Sequence, residues 1–94
     1  MRQSLSKKEK DNVLRVIKFE SKKGRTYTRF SHMTVIGLFD NQLKALIDFL
    51  GSLYIDVMYR EKWIDIGDKG FEMHPYDIVI DWSSREMIKA TDKI

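Results

Sequence analysis

Along the chain, short apolar runs alternate with polar, glycine-bearing breaks. Residues 13–20 are rich in β-branched side chains (Val13, Val16, Ile17) and read as a strand. Ser21, Lys22, Lys23, Gly24 and Arg25 follow, and Gly24 supplies the positive φ that a short loop needs. Residues 25–38 then resume with Thr, Tyr, Phe, Val and Ile. This predicts a β-hairpin. Pairing Ser21 with Arg25 sets Phe19 opposite Tyr27, Ile17 opposite Arg29 and Val16 opposite Phe30, although neither face is cleanly apolar.

Asp40 is a suitable helix N-cap, and Leu43, Leu46, Ile47 and Leu50 behind it recur at helical spacing up to a stop at Gly51. Residues 53–60 carry two signals. Leu53, Ile55, Val57 and Tyr59 alternate with Tyr54, Asp56, Met58 and Arg60 as in a strand, while Leu50, Leu53, Tyr54 and Val57 extend the helical stripe. A helix through Gly51 and Ser52 costs about 1 kcal/mol or slightly more relative to alanine, which favours the strand. Residues 63–66 and 71–82 form a second strand pair around Gly67, Asp68, Lys69 and Gly70, with Pro75 marking a bulge or an edge position. Ser83 and Glu86 have capping-box spacing, which predicts a last helix from Ser83 to near Ile94.

These elements predict an α+β fold in ββα-ββα order. Two β-hairpins make one antiparallel sheet, and two helices pack on one of its faces. Residues 1–11, mostly charged and polar, read as a basic flexible N-terminal tail, and residues 12–94 as a single domain.

Charge sharpens this picture. The formal net charge of the 94 residues is +3, but residues 1–29 carry +7 and residues 30–94 carry −4. The positive excess falls on the tail and the first predicted hairpin. There, Arg15, Lys18, Lys22, Lys23, Arg25 and Arg29 are interleaved with Phe19, Tyr27 and Phe30. Lysine and arginine neutralise phosphates, and aromatic rings stack on unpaired bases. Arg15, Lys18, Lys22, Lys23, Arg25, Tyr27 and Arg29 are therefore the expected nucleic-acid contacts. The same charge suits an acidic protein surface. The aromatics of the second half, Trp63, Phe71, Tyr76 and Trp82, serve the core or a protein-binding patch. Tyr54, Met58 and Arg60 share one strand face, which makes a homodimer or partner surface there an expectation too.

Other chemistry has little support. There is no cysteine, which excludes disulfides, thiolate metal ligands and a cysteine nucleophile. Asp65, Asp68, Glu72, His74, Asp77 and Asp81 crowd the second hairpin but lack any recognised metal-loop spacing, so no metal is expected. His32 reads as a sheet residue, and its neighbour Ser31 points to the opposite face, so the two are no catalytic pair. No phosphate-cradling glycine loop is present, and no cofactor is expected. The longest uncharged run, ten residues (30–39), falls far short of the roughly 20 needed to span a bilayer, so no membrane contact is expected. The expectation is a cytoplasmic, non-enzymatic binding protein whose basic first hairpin contacts nucleic acid. The alternative is a protein-binding regulator or inhibitor of a host enzyme. Small size and a lysine-rich start suit a phage or mobile-element accessory protein in either case.

Overall fold

The computed structural model describes residues 4–84. Helix α1 (Lys7–Lys22) is followed by strand β1 (Tyr27–Phe30), 3₁₀ turns at Met33–Ile36 and Asp40–Gln42, and helix α2 (Leu43–Gly51). Strands β2 (Asp56–Asp65) and β3 (Phe71–Asp81) complete it, joined through a third 3₁₀ turn at Gly67–Lys69. The class is α+β with an antiparallel sheet, as expected, but the order is α-β-α-β-β. The sheet has three strands in the order β1-β3-β2.

The largest correction is α1, which replaces both the first strand of the predicted hairpin and most of the expected tail. Its start is a capping box. The Ser6 hydroxyl accepts from the Glu9 N–H at 3.1 Å, and the Glu9 carboxylate accepts from the Ser6 N–H at 2.9 Å. Val13 and Ile17, one turn apart, are buried, and Leu14 and Val16 pack beside them. Leu5 is buried as well, and Gln42 Nε2 donates to the Ser4 carbonyl (3.3 Å) and the Glu9 carboxylate (3.0 Å). This hydrogen-bonded anchor explains why residues 4–11 are not a tail.

Gly24 does adopt a positive φ (83°), but to end a helix and not to turn a hairpin. Its N–H bonds the Ser21 carbonyl, and the Arg25 N–H bonds the Glu20 carbonyl. That is the Schellman arrangement, in which a left-handed residue satisfies the last helical carbonyls. The pairing of Phe19 with Tyr27 and of Ile17 with Arg29 is accordingly absent. β1 is only four residues long and pairs with β3 instead, Tyr27 opposite Asp81 through Phe30 opposite Ile78. The Trp82 indole N–H, donating to the Arg25 carbonyl at 3.1 Å, secures that junction.

The second half follows expectation more closely. α2 ends at Gly51, with Leu43, Leu46 and Leu50 buried, and β2 and β3 form the predicted hairpin around Gly67–Lys69. Residues 56–60 are strand. Pro75 lies where β3 has no β1 partner, in keeping with an edge position, while the bulge sits two residues on. Met58 faces Val79 but Arg60 faces Tyr76, so β3 carries one extra residue, with Asp77 in the left-handed region at φ 52°. Of the predicted last helix, Ser83 and Ser84 are helical, and the rest lies outside the described residues. Phe30, Ile78 and Ile80 of the sheet and Val13, Ile17, Leu46 and Leu50 of the helices form one core, with both helices on the same sheet face.

Candidate nucleic-acid interface

The expected contact residues separate into three places. Arg15, Lys18 and Lys22 lie at three- and four-residue spacing along the exposed side of α1, opposite Val13 and Ile17. Lys8 extends the same stripe toward the helix start, and Asp11 interrupts it. Among the described residues no ion pair reaches Arg15, Lys18 or Lys22.

Lys23 and Arg25 sit at the helix C-terminus, and both turn to Glu20. Arg25 donates to Glu20 Oε2 at 3.1 Å, and Lys23 Nζ lies 3.8 Å from Oε1 and 4.2 Å from the Phe19 ring centroid. Their charge is therefore partly spent within the chain.

Tyr27 and Arg29 stand on the open face of β1, and Arg29 is fully engaged. Its Nε and Nη2 donate to the two Asp77 oxygens at 2.5 and 2.7 Å, a bidentate pair, and Arg60 Nε approaches Oδ2 at 3.4 Å. The Arg29 hydrogen bond holds the Asp77 carboxyl below its ordinary value, and Asp77 raises Arg29 in return. The left-handed backbone at Asp77 aims its carboxylate at Arg29, 48 residues away, and its own N–H bonds the Ser31 carbonyl. No local sequence signal marks this contact. The capping box that creates the α1 stripe was legible, since Ser6 and Glu9 have the same spacing as Ser83 and Glu86.

The acidic residues of the second half do not converge. Asp65 caps the hairpin loop by accepting from the Gly67 N–H, Asp77 holds Arg29, and Asp81 accepts from the Ser83 N–H. His74 stands between Asp40 (Nδ1 to Oδ2, 2.6 Å) and Glu72 (Nε2 to Oε2, 3.2 Å), and these contacts, Asp40 first, raise its pKa. Among the described residues no group of three acidic or histidine side chains is placed to hold a metal. His32 is exposed and precedes a 3₁₀ turn, which corrects its reading as a sheet residue. A shallow groove between α2 and the hairpin is lined by Asp40, Lys44, Ile47, Tyr59, Glu72 and Met73.

Among the described residues no helix is long and apolar enough to cross a membrane. Comparison of the chain with protein families, with curated proteins and with solved structures gives no match in any of the three.

Proposed function

We propose that this is a cytoplasmic, non-enzymatic binding protein that contacts nucleic acid through the exposed stripe of α1. The supporting observation is the contrast among its cations. Arg25 and Arg29 are paired with carboxylates, whereas Arg15, Lys18 and Lys22 project from one rigid helix without an intramolecular anion among the described residues. At 1.5 Å per residue these three cover roughly 10 Å, enough to follow about three phosphates of one strand at 3.4 Å each. Such contacts position a strand and carry no sequence information. Phe19 and Tyr27, 59% and 53% exposed, are the aromatics near this end of the chain that lie on the surface and suit stacking.

The test is fluorescence anisotropy with labelled single- and double-stranded oligonucleotides of DNA and RNA. Binding should be detectable at about 50 mM salt, and log K should fall against log salt with a slope of about −3 for duplex DNA. The triple variant R15E/K18E/K22E should abolish binding, whereas R29Q should retain most of it. Absence of binding to every oligonucleotide removes the reading, and equal losses in the two variants misplace the site.

A second reading rests on the hairpin end. Trp63 and Phe71 are 59% and 67% exposed, and the register makes them diagonal neighbours on one face of the ribbon. Exposed aromatics of this kind suit a regulator or inhibitor that binds a protein, which in a phage or mobile element would be a host enzyme. A partner captured after nuclease treatment, and lost in W63A/F71A, would favour this reading over the first.

A further inference from the structure

β2 is an edge strand of ten residues. Among the described residues it pairs with β3 alone, so its other side presents backbone N–H and C=O groups. Asp56, Met58 and Arg60 are exposed and alternate with the half-buried Val57 and Tyr59, which pack toward the helices. The three exposed residues therefore share the open face of the sheet.

Among the described residues, two of them have charges that are unmatched or only loosely matched. Asp56 lies directly opposite Asp81 in the ladder, and like charges in that position destabilise a sheet. No cation pairs with either carboxylate among the described residues. Arg60 has the converse surplus. Its one carboxylate contact, at 3.4 Å, is to Asp77, which Arg29 already holds through two shorter hydrogen bonds. Between the unmatched anion and the loosely held cation sits Met58, 49% exposed.

We propose that a second copy of this chain adds to the β2 edge in an antiparallel register centred on Met58. A two-fold axis normal to the sheet brings Asp56 of each copy opposite Arg60 of the other, Val57 opposite Tyr59, and Met58 against itself. The result is one continuous six-stranded sheet. Other registers fit less well. Those centred on Arg60, Glu61 or Lys62 set like charges face to face, and one centred on Tyr59, although it pairs Asp56 with Lys62, sets Glu61 against Val57 inside the strand and leaves Arg60 facing Met58. The dimer is independent of the nucleic-acid reading, because it uses none of the α1 cations.

Sedimentation velocity over a range of concentrations tests it on the full chain. Wild type should show a reversible monomer–dimer equilibrium. D56R and R60D should each weaken dimerisation by about tenfold or more, since each creates two like-charge contacts. An equimolar mixture of the two should dimerise again, because every arginine then meets an aspartate across the edge, and the D56R/R60D double variant should behave like wild type. Circular dichroism confirms that each variant is folded. If R60D does not fold, D56N/R60Q replaces it and should dimerise weakly and without salt dependence. A wild type that stays monomeric at high micromolar concentration overturns the proposal. So do single variants that dimerise normally, a mixture of folded variants that stays monomeric, or a D56N/R60Q protein that matches wild type.

Discussion

The two halves of the β2–β3 ribbon are continuous in hydrogen bonding and opposite in what holds them. In the half next to the helices, Ile78 and Ile80 are 0% and 1% exposed, Val57 and Tyr59 pack against the core, and β1 supplies a third strand. Beyond the bulge at Asp77 only two strands remain. All of β2 from Arg60 to Asp65 is exposed, and so are Phe71 and Glu72. Burying an aliphatic side chain is worth roughly 1.5–3 kcal/mol, while a cross-strand pair contributes about 0.2–1 kcal/mol. A two-stranded ribbon is marginal by itself. The near half therefore carries the fold, and the far half spends apolar side chains on solvent, where they are available to a partner.

The most direct way to break this contrast is to remove one large side chain from each half. Ile78→Ala should cost about 2–5 kcal/mol in denaturant unfolding, because it empties a fully buried site under two helices. Trp63→Ala, although it deletes a larger side chain, should stay within about 0.5 kcal/mol. An equally costly Trp63→Ala would mean that the far half is packed against something in solution.

The two halves also differ in how far the sequence foretold them. The β2–β3 hairpin was legible because alternation in 53–60 and the glycine-bearing loop at 67–70 point the same way, and its partners are close in sequence. Helix α1 is hidden in the sequence because its signals conflict. Val13, Val16 and Ile17 favour a strand locally, and Lys23 and Gly24 resemble a hairpin turn. The Ser6 and Glu9 capping box and burial of Val13 and Ile17 at a spacing of four outweigh that preference. Of the candidate contacts, Arg15, Lys18 and Lys22 remain together on the helix for the same reason. Arg29 leaves the group because Asp77 reaches it across the sheet through a bulge that no short-range pattern encodes.

The α1 start gives a smaller and sharper test of the near half. Ser6→Ala removes the hydroxyl that accepts from the Glu9 N–H and loosens the point where Glu9 and Gln42 meet. It should cost about 1 kcal/mol, read from denaturant midpoints. Because the cap anchors α1 on the core, hydrogen exchange should quicken in the first turns of α1 and remain unchanged in residues 62–72. Exchange that quickens in both places would show that the halves open as one unit.

The smallest effect belongs to the residue that joins them. His74 sits in the far half opposite Lys62, and it contacts Asp40 on the body and Glu72 one step further out. The hydrogen bond to Asp40, aided by that to Glu72 and opposed by partial desolvation, raises its pKa above the ordinary 6.5. A raised histidine pKa means that the folded protein holds the proton more tightly than the unfolded chain. The link therefore stabilises fully below about 6.5, and this contribution is lost as pH rises through the folded-state value. The His74 Cε1 proton should titrate by NMR with a midpoint above 6.5. Exchange protection of residues 71–76, corrected for intrinsic rates, should fall across that same midpoint, while protection at Ile78 and Ile80 stays flat. In Asp40→Asn the midpoint should move down and the pH dependence of the far half should flatten. A midpoint at or below 6.5 in wild type would remove this ionic link and leave the packing of Met73 against the core to hold the far half to the body.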